Sequence, residues 1–216
     1  MEPVANTRVV PCKRPYDLGK RQELSGLTRA AILAAARSEL ESNGFLQLTM
    51  ETLARKSGVS RQTIHNLFGT KGDVLEALFD QIATDAGLER MRDVMQRANA
   101  EAMLTGFVEV FTGFWTKHRM LLRRIHGIAA IDPEFGAAVG ARNRRRQMAA
   151  ARIVERLGKG AGKNEGEKAT LKVATLYALT SFEFFDVLAE SCGSMESASA
   201  SVLLLAKKAL APSSST

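Results

Sequence analysis

The chain has 216 residues, of which 45% are hydrophobic and 25% are charged, and its formal net charge is +7. These values are typical of a globular protein large enough to bury a core. They argue against a disulfide-stabilised secreted domain, because Cys12 and Cys192 are the only cysteines, and against a transmembrane helix, because no run of about 18 apolar residues occurs.

Residues 1–24 are polar and basic and are interrupted by Pro3, Pro11 and Pro15, which predicts a flexible arm. They contain no apolar segment like that of a secretory signal, so we expect a cytoplasmic protein. The two cysteines lie far apart in the sequence, and unpaired thiols are favoured over a redox-sensing pair.

The positive charge is concentrated at the start of the chain. Residues 1–71 hold 11 lysines and arginines against 6 acidic residues, whereas residues 72–216 hold 19 against 17. A local basic excess favours a polyanionic partner for the first third of the chain, although it also improves solubility.

After the arm, apolar residues recur at spacings of three and four, and no convincing stretch alternates apolar with polar residues as a strand would. The predicted fold class is therefore all-α. The first helix is predicted over about 27–43, with Leu33, Ala36 and Leu40 as its inner apolar stripe.

Thr49, Ser60 and Thr70 each precede a helical pattern, and their hydroxyls are suited to accept hydrogen bonds from the amides of a first helical turn. They predict a second helix over 50–57, a third one after Ser60 and a fourth one over 71–96. Asp132 and Pro133 form a similar start signal, with an acidic cap followed by proline in the first turn. The later predicted helices cover about 100–116, 118–131, 133–157, 168–191 and 196–211, with a glycine- and lysine-rich loop at 158–167 and a frayed tail.

Residues 50–69 have the internal features of a helix-turn-helix. Two short helices that cross at a steep angle need a small residue at the crossing and a glycine in the turn, which Ala54 and Gly58 provide. Apolar residues must then hold the helices together. Those available are Leu53, Val59, Ile64 and Leu67, and the complete set in the basic part of the chain indicates DNA binding.

The third helix has two different faces. Ile64, Leu67 and Phe68 share one side by their spacing of three and four residues. The outward residues are Arg61, Gln62, His65 and Asn66, with Ser60 and Thr63 near the edge. Arginine can bond to guanine, glutamine or asparagine to adenine, and serine or threonine to phosphate or a base edge. A merely solvated polar face is the alternative, and the adjoining turn favours DNA.

Over residues 28–75 the sequence resembles the tetracycline-repressor-like (TetR/AcrR) family of transcriptional regulators. The remainder is similar to the family only in helical architecture. The matching residues are Arg29, Ile32, Leu33, Ala35, Ala36, Gly44, Thr49, Leu53, Ala54, Ser57, Gly58, Val59, Ser60, Thr63, Ile64, Phe68 and Lys71. The resemblance implies a helix-turn-helix DNA-binding domain at 25–72, followed by a helical effector-binding and dimerisation domain at 73–216.

The resemblance also implies residue roles. Thr49 would bind phosphate through its hydroxyl or a first-turn amide, Lys71 would reach a backbone phosphate, and Thr63 would enter the major groove with the outward residues of the third helix. The family commonly has tyrosine where this chain has His65, so the histidine would keep that phosphate contact more weakly and with some dependence on pH. The family often has an aromatic residue or histidine at Leu67, which we expect to pack instead.

The arm offers five basic residues to DNA. They would lie along phosphates or enter the minor groove, or they would form an ordinary solvated tail, and the sequence favours neither interpretation. They are Arg8, Lys13, Arg14, Lys20 and Arg21.

Aromatic residues recur at helical spacing within 106–115 and 176–185. Such a stripe usually belongs to a core, but the resemblance favours a cavity, because family members usually enclose a small-molecule effector between such helices. The predicted effector-binding residues are Phe107, Phe111, Trp115, Met148 and Tyr177.

Two further basic clusters have a less distinctive signal. The arginine-rich segment 142–146 could hold an anionic effector, but an exposed helix face is favoured. Arg123, Arg124 and His126 are interpreted in the same way.

The last two predicted helices are apolar on more than one side, and a helix of that kind needs a second packing partner. The resemblance supplies one, a four-helix interface formed by the last two helices of two subunits. A twofold homodimer would present two recognition helices to a pseudo-palindromic operator in double-stranded DNA.

An enzyme is not expected. The three histidines, His65, His118 and His126, form no HExxH motif or close metal-binding pair, and the chain has no GxSxG, P-loop or GxGxxG motif. No metal or cofactor is predicted, and a helical adaptor that binds only protein would not explain the outward polar face. The predicted function is a ligand-responsive repressor, with an effector-independent regulator or an activator as alternatives.

Overall fold

The computed structural model describes residues 18–158 and 166–211. These residues form α-helices and two short 3-10 helices, at Phe45–Gln47 and Leu88–Arg90, and include no strand, so the all-α prediction is confirmed. The α-helices are α1 (Leu18–Ser42), α2 (Met50–Ser57), α3 (Arg61–Phe68), α4 (Lys71–Asp85), α5 (Met91–Gln96), α6 (Ala100–Ile131), α7 (Pro133–Leu157), α8 (Gly166–Leu179), α9 (Phe182–Ser191) and α10 (Met195–Leu210).

The first three helices share a small apolar core. Leu33, Ala36 and Leu40 of α1 are buried, which confirms the predicted inner stripe. Leu53 of α2 and Ile64 of α3 are fully buried in the same core. Each such side chain contributes about 1.5–3 kcal/mol of burial free energy, so this core fixes the orientation of the two short helices.

Helix α1 begins at Leu18, nine residues before the predicted start at Leu27. The prediction of an arm over residues 1–24 is therefore wrong for its last seven residues, and residues 1–17 lie outside the described residues. The sequence of 18–26 contains no proline, and its glycines, Gly19 and Gly26, disfavour a helix without preventing one. Lys20 and Arg21 lie within α1, whereas Arg8, Lys13 and Arg14 belong to the residues that are not described.

The predicted helix over 71–96 is divided into α4 and α5. Gly87 has φ +76°, a left-handed conformation that an α-helix cannot contain, and a 3-10 turn follows it. Glycine alone adopts this conformation without steric strain, so the break is encoded by a single residue inside a long periodic pattern.

Helix α6 is continuous in its hydrogen bonding but changes direction at His118, whose φ of −123° and ψ of 18° are not helical. The sequence predicts a boundary between two helices at this position, so the kink agrees with the two predicted segments. Helix α7 begins at Pro133, and the Asp132 side chain accepts a hydrogen bond from the Phe135 amide at 3.0 Å, as predicted.

The predicted helix over 168–191 is also divided, into α8 and α9. The Ser181 hydroxyl accepts a hydrogen bond from the Phe184 amide at 3.2 Å and so caps α9, while the Thr180 hydroxyl donates to the Leu176 carbonyl at 2.7 Å. These side chains offer the backbone an alternative to a continuous helix. Most of the predicted loop, residues 159–165, and the tail, residues 212–216, lie outside the described residues, as does Cys12, whereas Cys192 is exposed.

Helix α4 connects the two parts of the molecule, because it packs against α1 and α3 on one side and against α7 on another. Helices α6 and α7 form the centre of the larger part, with α8 and α10 packed beside them. Within residues 18–158 and 166–211, no helix combines the length and the apolar character that crossing a membrane requires.

Candidate DNA-contacting surface and effector cavity

The turn between α2 and α3 depends on a left-handed glycine. Gly58 has φ 69° and ψ 22°, and the Val59 amide donates to the Ala54 carbonyl at 3.2 Å. The chain therefore leaves α2 sharply and enters α3 at Ser60. The Ser60 hydroxyl caps α3 by accepting a hydrogen bond from the Thr63 amide at 3.0 Å.

The two faces of α3 lie where the sequence predicts them. Ile64 is fully buried, and Leu67 and Phe68 are partly buried against the core. Ser60 and Thr63 lie at the first turn, with Thr63 half-buried. The exposed side chains of α3 are Arg61, Gln62, His65 and Asn66. Helix α3 is therefore packed against the core on one side and presents a polar surface on the other.

Gln62 and Asn66 form a pair on this surface. The Gln62 Nε2 atom donates a hydrogen bond to Asn66 Oδ1 at 2.9 Å, and both side chains are exposed. The two amides keep further donors and acceptors that this hydrogen bond does not use. A side-chain amide can bond to the edge of an adenine, which combines an acceptor with a donor.

Several predicted phosphate-contacting hydroxyls also have structural roles. The Thr49 hydroxyl accepts a hydrogen bond from the Thr52 amide at 3.0 Å and lies 2.9 Å from the Thr52 hydroxyl. The hydroxyls of Ser60 and Thr63 lie 2.8 Å apart. Thr49 and Ser60 therefore cap α2 and α3, and a phosphate would have to be contacted by their hydroxyl protons or by nearby amides.

Lys71 lies at the first turn of α4, where its Nζ atom is 3.9 Å from the centroid of the Phe45 ring. This cation–π contact orients the ammonium group. Next to it, Thr70 and Asp73 form a reciprocal cap, and hydrogen bonds from the Thr70 hydroxyl and amide lower the pKa of Asp73. Arg29 has a similar contact, because its guanidinium carbon lies 4.3 Å from the centroid of the Phe68 ring. Two cations therefore lie beside aromatic rings near the end of α3.

A cavity of about 290 Å³ lies where α4, α6 and α7 meet. Its walls are mostly apolar and aromatic, with charged side chains from α4 and α7. The lining residues are Phe79, Asp80, Ala83, Leu88, Met91, Phe111, Phe114, Trp115, Arg142, Asn143, Arg145, Arg146 and Ala149.

Two of the five predicted effector-binding residues, Phe111 and Trp115, line this cavity. Phe107 is fully buried beside it, with its ring centroid 5.0 Å from that of Phe111. Tyr177 lies outside the lining but its ring contacts Arg146, with the guanidinium carbon 4.3 Å from the ring centroid. Met148 does not contribute, because its side chain is 61% exposed.

The arginine-rich segment 142–146 is not a uniformly exposed face, which corrects the favoured sequence interpretation. Arg144 and Arg145 are exposed, but Arg142 is half-buried and Arg146 is only 5% exposed. Both inner arginines share the helical face that carries the buried Val139. Arg142 lies three residues after Val139 and Arg146 four residues after Arg142, and this helical spacing is the signal in the sequence that identifies them.

Arg142 connects α7 to α4. Its Nη2 atom lies 2.7 Å from Asp80 Oδ1, and Nη1 lies 3.6 Å from Glu76 Oε2. Nη2 also donates to the Glu76 carbonyl at 3.3 Å. The guanidinium group of Arg142 is therefore neutralised by α4 carboxylates at one edge of the cavity.

Arg146 has a different environment. Its Nη1 atom donates to the Tyr177 carbonyl at 3.0 Å and to the Thr180 hydroxyl at 3.4 Å, and Nη2 donates to Asn143 Oδ1 at 3.5 Å. Its Nε atom is buried and has no acceptor among the described residues. Burial is the main cause that lowers the pKa of Arg146 below its ordinary value.

The basic residues near the end of α6 form contacts with α9 and are not an exposed face. Arg119 Nε lies 2.6 Å and Arg123 Nε 2.8 Å from the two carboxylate oxygens of Asp186, and Arg123 also pairs with Glu190.

Two more residues of this part of α6 were predicted to be exposed. His126 Nδ1 lies 2.7 Å from Glu183 Oε1, and this hydrogen bond is the main cause that lowers the pKa of Glu183 to about 2. Arg124 is half-buried. The prediction of an exposed basic face at these positions is therefore wrong.

Comparison with known proteins identifies a matching family model and curated relatives. The family model described as bacterial regulatory proteins, tetR family, matches residues 32–78. The HTH-type transcriptional regulator EthR of Mycolicibacterium smegmatis is 31% identical over 108 residues, which are 49% of this chain and 49% of that protein. The HTH-type transcriptional regulator AlkX of Mycobacterium tuberculosis is 32% identical over 104 residues, 48% of this chain and 44% of that protein. The chain thus spans about half the length of the curated relatives it matches.

The similarity in fold extends over most of the molecule. A TetR transcription regulator from Haloarcula marismortui superposes with a TM-score of 0.66 at 16% identity, covering 85% of this chain and 96% of that one. At this level of identity the likeness concerns the fold alone. The resemblance that the sequence predicts for residues 28–75 is confirmed by these matches.

Proposed function

We propose that the chain is a transcriptional regulator of the tetR type that binds a specific DNA operator with the exposed face of α3, because its residues 32–78 match the model of that family and its curated relatives are transcriptional regulators. The observation that carries this proposal is the exposure of Arg61, Gln62, His65 and Asn66 opposite a buried Ile64. A helix held in this way can enter the major groove with its polar side chains towards the bases. The relatives are described as regulators, which agrees with the prediction that the chain is not an enzyme.

Phosphate contacts would surround this base-reading surface. Lys71 and Arg29 lie beside aromatic rings near the end of α3, and Thr49 lies at the start of α2. Contacts of this kind position a protein on the duplex without reading its sequence. A regulator that acts on bacterial DNA would work in the cytoplasm, which is the proposed location.

The regulator is proposed to act as a homodimer. Leu171 of α8, Val187 of α9 and Leu204 of α10 are 69%, 62% and 54% exposed. Single exposed apolar residues are common, and the proposal is that those on these consecutive helices belong to one interaction surface. A twofold dimer through these helices would place two copies of α3 on the half-sites of a pseudo-palindromic operator.

The cavity is the proposed site of a small-molecule effector that releases the operator. Phe79, Asp80 and Ala83 of α4 form part of its wall, and α4 begins only three residues after α3 ends. A ligand that moves α4 relative to α7 would therefore also move α3. Such a ligand acts only by binding the two arrangements with different affinity.

Selection of bound sequences from random DNA, followed by gel-shift titration, tests the proposal. We expect enrichment of a sequence with twofold symmetry, and a shift that survives an excess of nonspecific DNA. Purified protein that enriches no sequence and binds all DNA equally would contradict the proposed regulator function.

A further inference from the structure

The cavity contains a buried cation without an ionic partner. Arg146 is 5% exposed, lines the cavity, and is bonded to a carbonyl, a hydroxyl and a side-chain amide, which are all neutral groups. Removing a guanidinium group from water is unfavourable unless a counter-ion compensates for the lost hydration. Its unpaired Nε atom shows that even the hydrogen bonds are incomplete.

Three other arginines that connect helices among the described residues have carboxylate partners. Arg142 has Asp80 and Glu76, while Arg119 and Arg123 share Asp186. For Arg146, the described carboxylate that acts on its charge is Glu183, which is exposed and bonded to His126. Arg146 also differs in its position, because it is one of the residues that line the cavity.

The other residues of the cavity wall indicate the chemical character of the ligand. The rings of Phe111, Phe114 and Trp115 form an apolar surface on α6, and the guanidinium carbon of Arg146 is 5.7 Å from the Phe111 ring centroid. Asp80, the acidic residue in the lining, is already paired with Arg142. The charge available to a ligand is therefore positive, and the available surface is aromatic.

We propose that the effector of this protein is a small amphipathic carboxylate, with its carboxylate paired to Arg146 and its apolar body packed against Phe111, Phe114 and Trp115. The inference rests on the proposed effector site and names the class of ligand. A planar carboxylate matches the fork of donors on arginine, and such charge-assisted pairs are stronger than neutral hydrogen bonds. The volume of about 290 Å³ is near the lower end of small-molecule sites, so a compact ligand is expected.

The fluorescence of Trp115 can report ligand binding directly, because Trp115 is the only tryptophan in the chain and lines the cavity. The probes are benzoate, 3-phenylpropanoate and octanoate, each compared with its uncharged primary amide, in titrations of tryptophan fluorescence without DNA. We expect at least one carboxylate to bind about 10- to 100-fold more tightly than its amide, as a charge-assisted hydrogen bond predicts. Equal affinities, tighter binding of the amides, or no binding of any carboxylate overturns the proposal.

Two variants test whether Arg146 causes the tighter binding of a carboxylate than of its amide. Arg146→Gln should reduce the advantage of the carboxylate over the amide to less than about threefold, whereas Arg144→Gln, a change in an exposed neighbour outside the cavity lining, should leave it intact. Equal loss in both variants, or retention in Arg146→Gln, also overturns the assignment. If circular dichroism shows that Arg146→Gln is unfolded, Arg146→Lys takes its place, since it keeps the charge but loses the planar fork and should lower the preference in part.

The two proposals can fail independently. Sequence-selective DNA binding with no preference for carboxylates removes the ligand assignment and leaves the regulator. A carboxylate that binds but leaves the gel shift of the selected operator unchanged supports the Arg146 site and contradicts its proposed role in operator release. Absence of selective DNA binding contradicts the regulator itself, whatever the fluorescence titration gives.

Discussion

Gln62 and Asn66 lie four residues apart on the exposed face of α3, and the hydrogen bond between their amides holds both in one orientation. We expect Gln62→Ala or Asn66→Ala to weaken operator binding by about 1–3 kcal/mol, with little effect on random DNA, because each change removes half of a base-reading pair. Gel-shift titrations of both DNAs measure the difference. An equal loss on operator and random sequences would exclude base reading by this pair.

Lys71 provides the contrasting case, because its ammonium group is proposed to contact a phosphate. Lys71→Ala should weaken binding to all sequences together and reduce the salt dependence of log K by about one. Titrations at several salt concentrations measure that slope. An unchanged slope would mean that the contact with Phe45 is the main role of this lysine.

His118 is buried at the kink of α6, and neither of its ring nitrogens has a hydrogen-bond partner among the described residues. Burial, and then the nearby Arg37 and Lys117, lower its pKa below the ordinary value of 6.5. The folded protein therefore holds the neutral ring, and the unfolded chain binds the proton more readily. The contribution of the neutral His118 ring to the free energy of unfolding is fully present above about pH 6.5. It is lost as the pH falls towards the lowered pKa.

We therefore expect His118→Leu to be less sensitive to acid than the wild-type protein between pH 7 and pH 5. The wild-type free energy of unfolding should fall relative to that of the variant by at most about 1.4 kcal/mol per pH unit, the limit for one proton. Urea unfolding at several pH values measures both proteins, and the other titrating groups cancel in the difference. Parallel pH profiles would show that His118 does not contribute.

At the scale of single residues, the sequence predicts the exposed face of α3 well, because a buried Ile64 and exposed amides follow directly from helical periodicity. Arg146 is much harder to predict. Arginine is rarely buried, so its position on the inner face of α7 is a weak signal until the cavity beside it is visible.

At the scale of elements, Gly58 controls the angle between α2 and α3. A Cβ atom built at this position has no neighbour within 4 Å, so Gly58→Ala changes only the backbone energy at φ 69°. We expect a loss of about 1–2 kcal/mol in the free energy of unfolding. Thermal and urea unfolding measure it.

Gly127 is the matched control for this substitution. It lies inside α6 at an exposed helical position, and a Cβ atom there also has no neighbour within 4 Å. Gly127→Ala should therefore stabilise the protein by about 0.5–1 kcal/mol, since alanine favours the helix. The same sign for both substitutions would contradict the role assigned to the left-handed turn.

Helix starts are predictable where a capping side chain meets a periodic pattern, as at Asp132 with Pro133. The breaks after α4 and α8 are harder, because the apolar pattern continues through them. The breaks depend on the positive φ of Gly87 and on the cap that Ser181 provides for α9. Glycine and serine also occur inside the helices, as Gly127 and Ser199 do, so the residue type alone does not predict a break. At the start of α1 a helix is missed. Its first turns are polar and are predicted to be part of an arm, yet they form a helix.

At the scale of the whole molecule, the exposed apolar residues of α8, α9 and α10 are proposed to be covered by a second subunit. Leu204→Glu should shift sedimentation towards the monomer and weaken operator binding at equal protomer concentration, because a buried carboxylate opposes association. Leu24→Glu, on the exposed surface of α1, should leave the oligomeric state unchanged. A monomeric wild-type protein, or dimers in both variants, would contradict the proposed interface.

The hydrogen bond between Gln62 and Asn66 couples the two positions energetically. Two residues that orient each other do not change independently, since replacement of one alters the geometry of the other. A double-mutant cycle should therefore show the second substitution to be less harmful than the first.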